Sequence, residues 1–460
     1  MPAGPARLGL LSLSLALLYS FGFVEVGLGS LGPTRLTTTE LLLALFFVSA
    51  FPTFRPTFRR RDWLLWGLLA IAGSMLLTTL AVADGRGEAL KFTARFAIGI
   101  VLYLFLRCVA EQRDRVLTIC RAILAVGVIL ALIGIAQHFF PVTVMPFIAL
   151  FVPNKFAVAD PSLPLALTTG VFNHAGRLVV RASSLFNYCN SFAYFLLIAA
   201  GAAILYGRLT KERYARRFAL FCLTLFLTAL WFTYSRGTWL ALAVGLFAGI
   251  VYLAAQRRRW SQRRMRLGLL IVVFVGLLVA AAFLVRGERT VPETLPVCAD
   301  GVVPFPGMMN DTADADTFST RLLLWRAAIR LWRESPWLGI GVDRFRYRFY
   351  PALPRTTYDL FVGQGLYQAH NLPLTMLCGQ GIVGLVALVF FLFGCVREMR
   401  RDRSGGDPIL RAVVLGMLAA IAAVNLYDAM LFDSYANMLL IGLVLALAVE
   451  DGWAHEPRLD

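Results

Sequence analysis

The sequence predicts an all-α, polytopic membrane protein in which residues 1–460 form a single integral domain of about twelve transmembrane helices. Apolar side chains make up 59% of the chain and charged ones 15%, whereas soluble proteins have about 45–50% and about 25%. The apolar residues form long runs, such as 63–83 and 267–285, and about 20 such residues cross a hydrocarbon core. These observations exclude a soluble enzyme, a disordered chain and a nucleic-acid-binding protein.

Twelve apolar runs are long enough to be spans, with ends placed to within about three residues. They are residues 8–30, 36–54, 63–83, 90–110, 116–140, 184–206, 217–234, 237–255, 266–286, 372–395, 408–428 and 431–450. The connections between them alternate in charge along the chain, and this alternation predicts the orientation of the protein in its membrane.

The net charge of the chain is +17. Arginines gather in every second short loop, at 55–61, 107–115, 208–217, 257–266 and 397–403. The short loops between these clusters carry few cations. Because cytoplasmic loops are enriched in Lys and Arg, we expect both termini of this multi-pass protein in the cytoplasm.

Two segments on the outer side, 141–183 and 287–371, are too long to be simple connections. The second contains a predicted amphipathic helix at 319–333. Its apolar stripe consists of Leu322, Trp325, Ile329 and Trp332, and a neighbouring stripe consists of Arg326, Arg330 and Arg333. A basic helix with tryptophans is suited to lie in the outer headgroup layer, in contact with membrane lipids.

Polar residues recur at the start of the sixth predicted span, beginning near Arg181. Ser184, Asn187, Asn190 or Ser191, and Tyr194 follow one another every three or four residues, so they share one helix face. This face is interpreted either as a polar wall that binds a phosphorylated or sugar ligand, or as hydrogen-bonding contact between helices.

Two further polar residues lie at outer span ends. Arg236 occupies a tight turn, where it is either a membrane anchor or a ligand for phosphate oxygens. His370 directly precedes the tenth span, where the helix dipole favours the neutral imidazole that a general base requires; the alternative is a structural histidine. Because Arg181, Arg236 and His370 come from three spans but reach one membrane face, we predict a single extracytoplasmic site.

An acidic cluster in the long outer segment is a weak metal-binding motif. Asp311, Asp314 and Asp316 have the spacing of oxygen ligands for a divalent cation, but a solvated acidic loop has the same composition. We interpret them as solvated, and we expect no metal and no cofactor.

Four segments of the chain resemble the O-antigen ligases, within the wider group of O-antigen ligases, polymerases and related bacterial oligosaccharyltransferases. The segments are Arg181-Ala-Ser-Ser-Leu-Phe-Asn187, Tyr234-Ser-Arg236-Gly237-Thr-Trp, Arg321…Trp325…Pro336-Trp-Leu-Gly339-Ile-Gly341, and His370-Asn371…Gly381…Gly384. They cover roughly residues 181–384. The His-Asn…Gly-x-x-Gly element and the Ser-Arg-Gly turn are moderately specific to the group.

The resemblance implies a GT-C-like glycosyltransferase fold in the bacterial inner membrane. It implies that Arg181, Arg236 and His370 carry a metal-free reaction at the periplasmic face, and Arg321 matches the family's arginine before the Pro-x-x-Gly element. The implied partners are an undecaprenyl-diphosphate-linked O-antigen donor and a lipid A-core acceptor. The predicted substrate-binding residues are Arg321 from this match, Asn187 from the polar helix face, and Arg326 and Arg330 from the amphipathic helix.

The leading hypothesis for the function is therefore transfer of preassembled glycan to lipid A-core in lipopolysaccharide biosynthesis. The resemblance favours the ligase branch over protein-glycosylating relatives, because only residues 450–460 follow the last predicted span. An O-antigen polymerase that joins lipid-linked repeats is the alternative within the same group. A lipid-linked glycan transporter or flippase is a third hypothesis, which would require inverted repeats with interrupted helices; none is visible in the sequence.

Overall fold

A computed structural model of the protein describes residues 27–31, 34–37, 48, 62–82, 85–141, 143–144, 147–148, 171–174, 177–186, 189–255, 317–352, 369–400, 407–429 and 435–449. The helices are α1 (Trp63–Ala81), α2 (Arg86–Ala110), α3 (Arg113–Phe139), α4 (Cys189–Leu209), α5 (Arg213–Phe232), α6 (Arg236–Ala255), α7 (Thr317–Glu334), α8 (Phe345–Ala352), α9 (Leu372–Arg400), α10 (Pro408–Tyr427) and α11 (Tyr435–Val449). Two antiparallel hairpins accompany them, formed by β1 (Gly27–Leu31) with β2 (Thr34–Thr37) and by β3 (Val171–His174) with β4 (Arg177–Val180).

Eight of these helices, α1–α6, α9 and α10, are long and apolar enough to cross a membrane. They correspond to eight of the predicted spans, so the prediction of a helical polytopic membrane protein is confirmed for this part of the chain. Helix α11, with 15 residues, lies within the predicted twelfth span. The predicted ninth span, 266–286, lies outside the described residues, and the total of twelve remains a prediction.

The first hairpin corrects the boundaries of the first two predicted spans, 8–30 and 36–54. Strand β1 occupies the end of the first of these runs and β2 occupies the start of the second, with Leu31 paired to Thr34. Glycines 27 and 29 are poor helix formers, which explains why the apolar pattern alone placed these ends incorrectly. The rest of both runs, except residue 48, lies outside the described residues.

Helices α6 and α10 pack against each other through glycines. A Cβ added to Gly245 would lie 2.5 Å from the carbonyl oxygen of Gly416, and one added to Gly416 would lie 2.8 Å from the carbonyl oxygen of Gly245. Small residues allow such close backbone approach between membrane helices. The contact continues to the end of the pair, where Gly237 of α6 lies against the ring of Tyr427 of α10.

Helix α4 lies at the centre of the bundle. It packs against α3, α5 and α10, and nearly all of its side chains are buried. Phe192, Tyr194 and Phe195 are among the largest fully buried side chains of the described residues. The position of α4 therefore fixes the non-helical segment that precedes it, which carries Arg181.

Helix α9 is interrupted at Gly381, whose φ of +66° and ψ of −158° are non-helical. Residues 336–341, which we call the clasp, pair with the interrupted backbone. They form hydrogen bonds with the backbone N–H and C=O groups that lack a helical partner there. The hydrogen bonds run from Ile340 N to Cys378 O (2.9 Å), Gly341 N to Gly379 O (3.1 Å), Ile382 N to Pro336 O (2.9 Å) and Val383 N to Trp337 O (3.3 Å). This interruption was not visible in the sequence; irregular backbone of this kind is tolerated in a membrane where protein satisfies it.

A buried ion pair joins α1 and α2 at the end of the bundle opposite His370. Arg107 donates to Asp62 at 2.5 Å, and their side chains are 4% and 0% exposed. The hydroxyl of Tyr103 also donates to Asp62, and Asp62 caps α1 by accepting from the backbone N–H of Leu65 at 2.9 Å. These bonds satisfy a buried carboxylate that would otherwise be strongly destabilising.

Candidate functional site

The candidate site lies at one end of the bundle, where α3, α5 and α10 end and α4, α6 and α9 begin; we call this the site end. The predicted residues Arg181, Arg236 and His370 all lie on connections or helix termini at this end. Arg321, in the second turn of α7, also reaches it through a contact with Tyr427.

The segment that carries Arg181 is held in place by the side chain of Gln137 in α3. The carboxamide oxygen of Gln137 accepts from the backbone N–H groups of Ser183 (2.9 Å) and Ser184 (2.8 Å). Its amide nitrogen donates to Ser183 Oγ at 3.1 Å. The backbone N–H of Ala182 donates to the carbonyl oxygen of Phe232 at 2.8 Å, so the segment is tied to both α3 and α5.

This segment corrects the prediction that a polar helix face begins at Ser184. Ser184 lies before α4 in a left-handed conformation with φ of 50°, because its N–H is bonded to Gln137 and not to a preceding turn of helix. Tyr194 is fully buried in the bundle, so it does not line an open surface. Asn187 lies outside the described residues, and its predicted role in substrate binding remains a prediction.

The guanidinium of Arg181 contacts the turn between α5 and α6. Its Nε donates to the carbonyl oxygen of Thr233 at 2.9 Å, and its Nη2 lies 3.4 Å from the carbonyl oxygen of Tyr234 and 3.3 Å from Asn190 Oδ1. Asn190 Oδ1 also accepts from Ser235 Oγ at 3.0 Å. Asn190 thus connects α4 with the turn and orients Arg181 beside it.

The turn itself is tightly organised. Tyr234 has a left-handed φ of 51°, and the Ser235 hydroxyl lies 2.9 Å from that of Thr238. Arg236 follows directly as the first residue of α6 and is partly exposed. Partial burial raises the pKa of the Tyr234 phenol, so this side chain is neutral. The turn therefore brings Arg236 close to Arg181 and adds no negative charge beside them.

His370 forms a pair with Asp428, which follows α10. His370 Nδ1 lies 2.9 Å from Asp428 Oδ1, and the side chains are 27% and 8% exposed. Asn371 caps α9 by accepting from the N–H of Leu374, and it donates to the carbonyl oxygen of Leu426. A carboxylate at Nδ1 fixes the imidazole tautomer, so that Nδ1 carries the proton and Nε2 is the basic nitrogen.

Tyr427 contacts residues of α6 and α7 and directly precedes Asp428 in the chain. The guanidinium carbon of Arg321 lies 5.6 Å from the centroid of its ring. A Cβ added to Gly237 would lie 2.1 Å from the same ring, so the ring fills the space beside the residue that follows Arg236. Asp428, the partner of His370, is the next residue in the chain.

Asp428 and Gln137 were not among the residues predicted from the sequence. Asp428 could have been found, because a carboxylate at the end of an apolar span is a functional candidate by default. Gln137 gave no such signal, since a single amide within an apolar helix does not reveal which backbone groups it meets. His138, next to Gln137, bonds to the carbonyl oxygen of Val180 at 2.7 Å and stacks on Phe232.

Arg326 and Arg330 do not reach this cluster. They lie on the exposed side of α7, and Arg330 lies 3.5 Å from the carbonyl oxygen of Ala352. The predicted apolar stripe is also not the buried face of the helix. The buried residues are Leu324, Ala327, Ala328 and Leu331, because α7 packs against α8 and α9, which the pattern of α7 alone did not reveal.

Within the described ranges, no group of three or more His, Cys, Asp or Glu side chains lies close enough to hold a metal ion. Asp311, Asp314 and Asp316 lie outside those ranges, so their interpretation as a solvated loop remains a prediction.

The family model for O-antigen ligase matches residues 218–389 of the chain. The match covers part of the chain and confirms the resemblance seen in the motifs. It includes Arg236, Arg321 and His370, whereas Arg181 and Asp428 lie outside it. No curated protein matches the chain in a sequence search.

Replacing Gln137 tests whether it holds the segment that carries Arg181. We expect Gln137→Leu to lower the thermal unfolding temperature, because two buried N–H groups lose their acceptor and each such loss destabilises by about 1–3 kcal/mol. Gln137→Glu keeps an acceptor for both N–H groups and serves as the control. Thermal unfolding of the purified protein in detergent is the measurement; Gln137→Leu protein that unfolds at the wild-type temperature would contradict the assignment.

Proposed function

We propose that the protein is an O-antigen ligase that transfers preassembled glycan from undecaprenyl diphosphate to lipid A-core. The reaction takes place at the periplasmic face of the bacterial inner membrane, without a metal ion and with inversion of the anomeric centre. The family match over residues 218–389 supports the reaction class, and the charge pattern of the loops supports the orientation.

The observation that carries this proposal is that three arginines and a His–Asp pair lie around the turn between α5 and α6 and around Tyr427. Arg181 bonds to the turn that ends at Arg236, and Arg321 stacks on Tyr427. His370 bonds to Asp428, the neighbour of Tyr427. Cations for an anionic leaving group and a base for a hydroxyl nucleophile are the groups that this transfer requires.

His370 acts as the general base. An acceptor hydroxyl is a weak nucleophile at neutral pH, and Nε2 of His370 takes its proton as the new bond to the anomeric carbon forms. Asp428 holds the ring and stabilises the imidazolium that results, as a carboxylate does in other His-based sites. The bond between the anomeric carbon and the diphosphate oxygen breaks on the opposite side, and undecaprenyl diphosphate leaves.

Arg181 and Arg236 bind the diphosphate and stabilise the charge that develops on it. A guanidinium matches phosphate oxygens with two parallel hydrogen bonds, and fixed cations in a partly dry site stabilise charge better than water does. Arg181 is already oriented by Thr233 and Asn190, so little reorganisation is required when the donor binds.

A strain that lacks the protein distinguishes the proposed ligase from its alternatives. We expect its lipopolysaccharide to consist of bare core on a gel, with lipid-linked polymer accumulating in the membrane, because synthesis of the donor continues. Core capped by a single repeat would indicate a polymerase. Donor trapped on the cytoplasmic face would indicate a flippase.

Variants of the His–Asp pair test the proposed base. We expect His370→Ala to bind the lipid-linked donor but to transfer glycan about 10²–10⁴-fold more slowly, the usual contribution of general-base catalysis. Asp428→Asn keeps a hydrogen-bond partner but loses the charge, so kcat should fall less. The control is Glu334→Gln, which removes an exposed carboxylate on α7. Correctly inserted His370→Ala protein with near-normal kcat would make His370 structural.

Lysine substitutions test the arginines. Arg181→Lys and Arg236→Lys keep the charge but lose the planar guanidinium, so we expect a sharp loss of donor binding and of kcat in each. Arg86→Lys is the control, since Arg86 caps a helix end near Val82 at the same end of the bundle. If both site variants retain full activity in the transfer assay, these arginines are membrane anchors.

A further inference from the structure

Two sets of three arginines, one on α7 and one at residues 344–348, lie close together. The two sets differ in their interaction partners. Arg344 lies over the Tyr347 ring, Arg346 pairs with Asp343 at 2.8 Å, and Arg348 pairs with Glu334 at 2.7 Å. Arg326, Arg330 and Arg333 are exposed, and none of them forms an ion pair with a carboxylate of the described residues. The arginines at 344–348 interact with other side chains of the protein, whereas those on α7 present their charge outward.

The exposed arginines border an apolar stripe that the fold leaves half-buried. Around the axis of α7, the buried face that includes Leu324 and Leu331 is followed by the stripe of Leu322, Trp325, Ile329 and Trp332, and then by the arginines. Trp332 donates to the carbonyl oxygen of Pro336 at 3.0 Å, and Trp337 beside it is 69% exposed. A partly exposed apolar stripe next to cations fits a boundary between acyl chains and headgroups.

We propose that this surface, formed by Arg326, Arg330 and Arg333 with the adjoining tryptophans, binds the phosphate-bearing headgroup of the lipid-anchored acceptor. The inference rests on the proposed function and adds the surface that binds the acceptor before transfer. Three exposed guanidinium groups complement the phosphates in charge and geometry. The tryptophans lie where the acyl chains of the same molecule begin.

The surface is also connected to the reacting groups. Arg321 lies on the same helix and stacks on Tyr427, whose neighbour Asp428 holds His370. We expect an acceptor bound by its phosphates along α7 to extend its glycan portion around the helix toward His370, while its lipid portion remains in the membrane.

The test uses the full-length protein in nanodiscs of zwitterionic lipid. The triple variant Arg326→Gln, Arg330→Gln, Arg333→Gln is compared with wild type for acceptor KM, donor KM and kcat. We expect the acceptor KM to rise by roughly 10- to 100-fold, since each cation near an anionic surface contributes to binding, while donor KM and kcat stay unchanged. The control is Arg348→Gln, which removes an exposed arginine that already has a partner.

A dephosphorylated acceptor identifies the ligand. With it, wild-type protein should show the raised KM of the triple variant, and the variant should show no further change. An unchanged acceptor KM in the triple variant, or an equal effect of the variant on both acceptors, overturns the proposal.

Binding of the acceptor alone, measured without donor, separates this inference from the proposed function. Phosphate-dependent binding that is lost in the triple variant supports the surface even if wild-type protein transfers no glycan, an outcome that refutes the proposed function alone. Acceptor binding that does not depend on its phosphates overturns the surface even if transfer is normal.

Discussion

The hydrogen bonds of Gln137 are the constraint on which the site depends. The segment 181–186 leaves helical geometry at the end of the bundle, and its backbone N–H groups have no helical partner there. In a membrane protein such groups must be satisfied by protein, because no water is at hand in the hydrocarbon core. One carboxamide oxygen accepts from two of them. Together with the bond from Ala182 to Phe232, this side chain holds Arg181 beside the turn that precedes Arg236.

The packing of α6 against α10 determines where Tyr427 and its neighbour Asp428 lie relative to Arg236. Close approach at Gly245 and Gly416 fixes the register of the two helices, and this register places the ring of Tyr427 against Gly237. The arginines and the His–Asp pair therefore come from connections that are distant in the chain but belong to helices in direct contact. Arg321 and Gly237, the residue after Arg236, contact the ring of Tyr427, and the His–Asp pair includes the residue that follows Tyr427 in the chain.

The sequence predicted the parts of this molecule that depend on local pattern. Long apolar runs identified eight described spans, and costly polar residues at span ends identified Arg181, Arg236 and His370. It did not predict the contacts that depend on which helices are neighbours. The pairing of His370 with Asp428, the buried face of α7 and the position of Ser184 outside α4 are each decided by a residue of another element. The interruption at Gly381 belongs to the same class, since only the clasp makes that backbone conformation stable.

The interruption of α9 bears on how the residues around His370 respond to differences in bilayer thickness. Bilayers differ in thickness, and a membrane helix adjusts to the mismatch by tilting or bending. In α9 the clasp is bonded to backbone on both sides of Gly381, from Cys378 to Val383, whereas the helix beyond it exposes Val386, Val389 and Phe393. Because the clasp holds the backbone around Gly381, we expect a tilt of the exposed part to be taken up beyond the clasp and to leave the geometry of the His–Asp pair unchanged.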